Sequence, residues 1–263
     1  MSIGFISESA VEYHSKANRY LSSHQLIDYM KSPYGYWYKH NVASKQPEPS
    51  AFFIGRAVHK YVLEGAEAFG REYIVGGPIN PKTGKSYGVG TQKYQEWLDE
   101  IGGKGLVGIT EEDAELIKTA NKSVYSHLEA DKLLSEGFAE GVVRSEYCGV
   151  GCQIRLDWFN PSRGIIDLKT CRNLDRFAYD FKDYWYANQM SFYREVYKSA
   201  FGEDCQTWIV ACELSEPYRT GVFLVGDKTL EDARIKNEDG IARFVRSRYC
   251  GEYPTEYEDV RIL

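Results

Sequence analysis

Three charged residues in the middle of the chain have the types and the spacing of a metal-dependent hydrolytic site. Asp157 ends one strand-like segment, and Asp167 and Lys169 lie inside the next, which begins at Gly164. Residues two apart on a strand share a face, so Asp167 and Lys169 project together, and a short hairpin can return Asp157 beside them. Charged residues are rarely buried without a partner, so an aspartate that follows two isoleucines requires an explanation.

Two carboxylates and an ammonium group on one face suit a hard divalent cation, and magnesium (Mg²⁺) or Mn²⁺ is expected there. Such a cation polarises a phosphodiester oxygen and lowers the pKa of a bound water, while a nearby lysine orients that water or stabilises the developing charge. The alternative is structural, with a buried Asp167–Lys169 ion pair and an Asp157 that caps a turn. The local pattern does not separate the two, because short motifs often match by chance.

The elements that position these residues occupy the second half of the chain. Apolar segments of strand length, separated by Gly and Pro turns, predict five strands at 138–147, 153–159, 164–170, 207–212 and 220–225. A helical pattern covers 174–201, between the third and fourth strands, and another covers 230–248.

The first half, 1–137, is expected to be mainly helical. Capping residues and helical spacing predict helices over about 22–31, 50–65 and 110–134, the last opened by Thr110 with Asp113. The Gly-rich segment 74–90 is expected to be a loop. This order of elements predicts a single α/β domain, 1–263, in which helices flank a central mixed sheet.

The composition restricts how the chain could bind nucleic acid and where it is found. A net charge of −6 argues against binding by bulk positive charge, but it fits an enzyme that gathers carboxylates around a cation. No stretch approaches the roughly 18 apolar residues of a membrane span, and the first residues do not resemble a secretory signal. A cytoplasmic protein with no membrane partner is expected.

The six cysteines form no C-x-x-C pair, so reduced thiols are expected. Cys148 and Cys152 are a weaker alternative metal site, because no second pair follows at finger-like spacing. The three cysteines at 205, 212 and 250 are too widely spaced for an iron–sulfur cluster.

The hairpin from Asp157 to the run Ile165-Ile166-Asp167-Leu168-Lys169-Thr170 resembles the catalytic core of PD-(D/E)XK nucleases. Four further features resemble the RecE-like branch, the phage-type exonuclease VIII proteins that accompany single-strand annealing recombinases. They are Ser32-Pro33 before a run of aromatics, Gly55 with His59, Gln189 with Tyr193, and the closing Gly251-Glu252-Tyr253-Pro254. Each motif is weak alone, but the ordered set, from about residue 20 to 255, is specific.

The resemblance implies a role for each matching residue. Asp157 and Asp167 would be metal ligands, the Leu168 carbonyl another, and Lys169 would position the attacking water. His59 would reach the metal through a ring nitrogen, although a lone helix histidine is more often only packed or capped.

The resemblance also implies further members of the site. Gln189 and Tyr193 lie one helical turn apart, so they share a face that could orient Lys169 or a phosphate; alternatively, the glutamine faces solvent and the tyrosine is core. A glutamate completes the acidic cluster in the family. Glu140 is favoured for this metal-ligand position over Glu146, which lies closer to the hairpin.

The sequence gives weaker evidence for the residues that contact DNA. Arg172 and Arg176 follow the catalytic strand and are candidates for phosphate contacts. The aromatics and cations of 34–40 could stack on a DNA end or could pack beneath the sheet. The arginines of 243–248 are expected on the solvated face of the last helix.

The resemblance implies a 5′–3′ exodeoxyribonuclease that digests one strand of linear double-stranded DNA and leaves 3′ single strands for recombination. It further implies a homo-oligomeric ring, a single-strand annealing recombinase as partner, and a phage or prophage origin in a bacterial host. Two alternatives remain. One is a non-processive endonuclease or repair nuclease on the same core, and the other is a catalytically silent DNA-binding or phage assembly module.

Overall fold

The computed structural model describes residues 4–43 and 50–260 and is organised around a five-stranded sheet. Its strands are β3 (Phe138–Tyr147), β4 (Val150–Asn160), β5 (Gly164–Cys171), β6 (Thr207–Glu213) and β7 (Thr220–Leu224). They are adjacent in chain order, β5 and β6 are parallel, and the other neighbours are antiparallel. The predicted central mixed sheet is confirmed, and each strand lies within three residues of its predicted bounds.

Helices cover both faces of this sheet. One face packs against α2 (Ser23–Lys31), α9 (Tyr186–Phe201) and α10 (Asp227–Cys250), and the other packs against α4 (Ser50–Glu72), α6 (Glu111–Ser126) and α7 (Leu128–Leu134). The alternation of β5 produces this division, because Ile165 belongs to the first core and Ile166 and Leu168 belong to the second. The result is a central mixed sheet flanked by helices, as predicted from the sequence.

Two helices predicted as continuous are interrupted. The segment 174–201 comprises a 3₁₀ turn (Leu174–Arg176), α8 (Phe177–Asp183) and α9. Trp185 separates the two helices because it adopts a left-handed conformation, with φ of 60°. The segment 110–134 breaks at the extended residue His127, whose ring accepts the Ala130 N–H in the first turn of α7. Helical periodicity does not reveal such breaks, since the residues around them all tolerate a helix.

Several elements of the N-terminal half were not predicted. They are α1 (Ala10–Ser15), α3 (Pro33–Asn41), α5 (Gln92–Gly102) and the short parallel strands β1 (Tyr73–Val75) and β2 (Val107–Ile109). Pro33 was interpreted only as the end of α2. It is also the first residue of α3, where a missing N–H costs nothing, and Ser32 caps that helix through the Gly35 N–H.

The N-terminal segment closes two open edges of the sheet. Ile6 forms both bridge hydrogen bonds with Val142 on the outer edge of β3. Leu21 bonds to Gly151 and Gln153 on β4, where β5 no longer pairs with that strand. Backbone groups that would otherwise be unpaired are thereby satisfied. Within the described ranges, no helix is long and apolar enough to cross a lipid bilayer.

Candidate active site

The site lies where β4 and β5 part. The two strands pair only through Trp158, Phe159 and Asn160, next to their turn. Asp157 and Asp167 are the next residues outward, and there the ladder ends. The Leu168 N–H donates instead to Oδ2 of Asp157, at 2.8 Å. A carboxylate therefore takes the place of a ladder carbonyl, and both aspartates are held in the fork between the strands.

The first half of the site joins Asp157 to His59 of α4. Nδ1 of His59 lies 3.5 Å from Oδ2 of Asp157, and both side chains are largely but not fully enclosed. Burial alone would raise the pKa of Asp157, but His59, Lys169 and the Leu168 N–H together hold it below its ordinary value. The same contact raises the pKa of His59 against the opposing effect of burial.

Gly55 explains how α4 comes close enough. It lies one turn before His59, and a Cβ at this glycine would be 3.2 Å from Oγ1 of Thr170 on β5. The absence of a side chain lets the helix lie against the strand, and His59 on the same face then reaches Asp157.

The second half of the site surrounds Asp167, whose side chain is only 2% exposed. Nζ of Lys169 lies 2.5 Å from its Oδ2, and Nε2 of Gln189 donates to its Oδ1 at 3.1 Å. Oδ2 has the ion pair but no well-aligned hydrogen bond within the described residues. Burial raises the pKa of Asp167 to about 6; Lys169 opposes this rise and the Asp157 charge adds to it. Burial lowers the pKa of Lys169, but the two aspartates raise it overall.

Gln189 and Tyr193 support Asp167 from α9. Both are buried, and Nε2 of Gln189 also donates to the Tyr193 hydroxyl at 3.0 Å. The sequence suggested that this pair orients Lys169 or a phosphate, or else that the glutamine faces solvent. In the structure the amide contacts Asp167, because α9 packs on the face of β5 to which that carboxylate projects.

Glu140 lies beside this site and Glu146 does not. The flanking pairs of β3 and β4 place Glu140 opposite Asp157, although the two do not form a ladder pair. Glu140 has a φ of 61°, which is uncommon outside glycine and is often found at functional sites. Its carboxylate pairs with Arg155, while burial and then the Asp157 charge raise its pKa to about 7. Glu146 is exposed at the far end of the hairpin, opposite Gly151.

The four proposed ligand side chains are partnered within the protein. Within the described residues, no three His, Cys, Asp or Glu side chains converge closely enough to enclose an ion. Asp157 contacts His59, Asp167 contacts Lys169, and Glu140 contacts Arg155. The donor types nevertheless fit a hard divalent cation. Burial is the main cause of the raised pKa values of Asp167 and Glu140, with a smaller contribution from the Asp157 charge, and a bound cation would favour the ionised form of both carboxylates.

Tyr186 belongs to the site and was not predicted from the sequence. Nζ of Lys169 lies 4.7 Å from the centre of its ring, within reach of a cation–π contact. Burial raises the pKa of Tyr186 to about 12, so its hydroxyl is neutral at physiological pH. A sequence signal existed, because Tyr186 precedes Gln189 by one helical turn and must share its face.

The proposed DNA-contacting residues lie outside this cluster. Arg172 and Arg176 are both exposed just beyond β5, and the Arg176 guanidinium lies 5.6 Å from the Tyr179 ring. The aromatic residues of α3 have two different environments. Tyr36 packs against Phe244 of the core, whereas neighbouring tyrosines of the helix are exposed.

A mixed sheet whose central strands part around Asp157, Asp167 and Lys169 defines a PD-(D/E)XK nuclease fold. The chain belongs to the family described as a PDDEXK-like domain of unknown function (DUF3799), whose model matches residues 22–262. A crystal structure of a "Putative exonuclease" from Eubacterium rectale is similar in fold, with a TM-score of 0.71 and 16% identity. The similarity covers 98% of this chain and 96% of the other. A search of curated proteins found no match.

Proposed function

We propose that the protein is a metal-dependent exodeoxyribonuclease that digests one strand of linear double-stranded DNA from 5′ to 3′ and leaves 3′ single strands for recombination. The observation that carries this proposal is the meeting of Asp157, Asp167 and Lys169 in the fork between β4 and β5, in a PD-(D/E)XK fold. The polarity and the role in recombination rest on the resemblance to RecE-like enzymes.

The same resemblance supports a homo-oligomeric ring around DNA, a single-strand annealing recombinase as partner, and a phage-encoded protein in the bacterial cytoplasm. The free-energy cost of burying the charges of this site disfavours the alternative of a catalytically silent module. A module that only binds DNA does not require a buried aspartate whose pKa is raised to about 6, since an apolar residue at that position would cost less free energy to bury.

Each residue of the site then has a chemical task. Asp157 and Asp167 would hold Mg²⁺ or Mn²⁺ together with His59, Glu140 and the Leu168 carbonyl. The bound cation would supply Lewis acidity toward a phosphodiester oxygen and toward the attacking water. The charged ammonium of Lys169 would orient that water and stabilise the negative charge of the transition state.

Gln189 and Tyr193 act through Asp167 and are positioning residues. Gln189 fixes one carboxylate oxygen, and Tyr193 fixes the amide of Gln189. Because Lys169 contacts the other oxygen, these two residues also define where the ammonium lies.

Digestion of end-labelled linear duplex DNA with Mg²⁺ tests the proposal, beside covalently closed circular DNA. The wild-type protein should degrade only the linear form, and label at the 5′ end should be released first. Lys169→Ala should be inactive. Lys104→Ala should be fully active, because that lysine is exposed just after α5 and forms an ion pair with Glu100. Cutting of circular DNA would favour the endonuclease alternative, and no cutting with either Mg²⁺ or Mn²⁺ would refute the proposal.

A further inference from the structure

Three consecutive aromatic residues join α8 to α9, and we call this segment the aromatic turn. Tyr184 and Trp185 lie between the helices, and Tyr186 is the first residue of α9. The aromatic turn lies directly beside the candidate active site, because the Tyr186 ring is 4.7 Å from Nζ of Lys169. The Tyr184 ring stacks on Tyr186, with 5.6 Å between centroids and 29° between planes. Tyr184 is thus the next ring outward from the catalytic lysine.

The inner part of the aromatic turn is fixed by packing. Phe177 and Phe181 of α8 hold the Tyr186 ring at centroid distances of 6.1 and 6.3 Å. Trp185 packs against the core in the left-handed conformation, which a bulky residue rarely adopts and which persists only where the surroundings enforce it. A rigid base beneath Tyr184 lowers the entropic cost of binding to its ring.

The outer ring is available to a ligand. Tyr184 is 58% exposed although it stacks on Tyr186, so more than half of this residue is accessible beside the site. Exposed tyrosines are ordinary when they stand alone, but this one continues a stack that starts at the catalytic lysine.

The surrounding charges favour stacking over phosphate attraction as the source of affinity. Lys31 lies 5.9 Å from the Trp185 ring, and α8, which precedes the aromatic turn, carries Asp180, Lys182 and Asp183. The whole chain carries a net charge of −6. A net negative charge disfavours binding by bulk electrostatic attraction, so a short-range contact to a base is expected to contribute to the affinity.

We propose that Tyr184 stacks on an unpaired base of the strand whose phosphodiester lies at Lys169. Among the ends of linear duplex DNA, the site should therefore prefer one with unpaired terminal nucleotides, frayed or single-stranded, over a fully paired end. A base inside a duplex has both faces covered by its neighbours, so an added ring requires a base that has left the stack. This inference rests on the proposed nuclease function for its choice of ligand.

The test measures binding without hydrolysis. Fluorescence anisotropy in EDTA would compare a blunt duplex with the same duplex carrying three mismatched terminal pairs. The wild-type protein should prefer the frayed end. Tyr184→Ala should bind that end about tenfold more weakly and lose the preference, whereas Tyr184→Phe should retain it. Tyr249→Ala is the matched control, because that tyrosine is 91% exposed at the end of α10 and should have no effect.

The salt dependence separates stacking from charge. Tyr184→Ala should leave the slope of log affinity against log salt unchanged, whereas a residue that contacts phosphate would lower it by about one. An equal loss for blunt and frayed ends, or no loss at all, would overturn the stacking proposal. Binding in EDTA does not require activity. If the protein cut no DNA but still preferred frayed ends in a Tyr184-dependent way, the stacking proposal would stand and only the proposed nuclease function would be refuted.

Discussion

The two aspartates of the site occupy unlike surroundings although they lie side by side. Asp157 is 19% exposed, contacts His59 and accepts a main-chain N–H, and its pKa is lowered. Asp167 is 2% exposed, contacts Lys169 and Gln189, and its pKa is raised to about 6. One carboxylate is thus stabilised as an anion, and the other remains undercompensated despite an ion pair.

This difference indicates a division of labour. The lowered pKa of Asp157 keeps it ionised throughout the neutral range, and its side chain is the more exposed of the two. Asp167 is held in position by two protein donors, at an electrostatic cost that burial imposes. A cation bound between them would favour the ionised form of Asp167 most, because burial opposes the ionisation of that carboxylate.

The largest expected effect follows from removing Lys169. Lys169→Ala should lower nuclease activity by about 10³-fold, since it removes the group that stabilises transition-state charge. It should also lower the free energy of unfolding by about 3 kcal/mol at pH 8, because a buried carboxylate loses its partner. At pH 5 the loss should be smaller, since Asp167 is then largely protonated. Urea unfolding at both pH values measures this.

The matched variant in the other half is His59→Ala. It should cost only about 1 kcal/mol, because Asp157 is more exposed and keeps the Leu168 N–H. Equal destabilisation by the two variants would contradict the contrast between the aspartates.

Metal binding should stabilise the protein more at high pH than at low pH. The pKa values of Asp167 and Glu140 are raised, to about 6 and about 7, from ordinary values of 3.8 and 4.5. The folded state therefore binds more protons than the unfolded state, and these two groups make the metal-free protein less stable as pH rises from about 4 to about 7. A bound cation offsets this loss of stability only at pH values where both carboxylates are ionised.

Saturating Mg²⁺ should accordingly raise Tm by about 5–10 °C at pH 8 and by much less at pH 5.5. Differential scanning calorimetry with and without the cation provides the measurement. Asp157→Asn serves as the control and should lose most of the shift. A shift of the same size at both pH values would show that the cation binds away from these carboxylates.

The hydrogen-bond relay from α9 should give an intermediate effect. Gln189→Leu should lower kcat about tenfold with little change in KM, because it removes a hydrogen bond to a charged group and leaves DNA contacts in place. Tyr193→Phe should lower kcat only about twofold to threefold. In the Gln189→Leu background Tyr193→Phe should have no further effect, since its hydroxyl acts through the amide. Additive losses would show that Tyr193 acts on the site by another route.

The sheet and the face shared by Asp167 and Lys169 follow from sequence periodicity alone, because a two-residue alternation fixes the face of a strand. The conformation of Glu140 does not, since nothing local forces a φ of 61° on a glutamate. The target of Gln189 also depends on which face of β5 receives α9. The helical spacing of Tyr186 from Gln189 was enough to predict that it lies at the site. The interruption of the helix at Trp185 is not evident from the hydrophobic periodicity of the sequence.

The spacing of Gly55 and His59 was recognised only as a motif, and the structure supplies its physical reason. A glycine in a helix costs about 1 kcal/mol relative to alanine, so its presence here should reflect the close approach of α4 to β5. Gly70 lies beyond Gly65, whose φ of 84° and ψ of 172° interrupt α4, and a Cβ at Gly70 would have no neighbouring atom within 4 Å. A Cβ at Gly55, by contrast, would lie 3.2 Å from Thr170.

Gly70→Ala should therefore stabilise the protein by about 0.5–1 kcal/mol, and Gly55→Ala should give little or no gain, because crowding against Thr170 offsets the same helical benefit. Gly55→Ala should also lower activity severalfold by shifting His59 away from Asp157, while Gly70→Ala should leave activity unchanged. Urea unfolding and digestion of linear duplex measure the two effects. If both variants gained equal stability and kept full activity, α4 would be able to move away from β5 without cost. The contact of His59 with Asp157 would then not depend on Gly55.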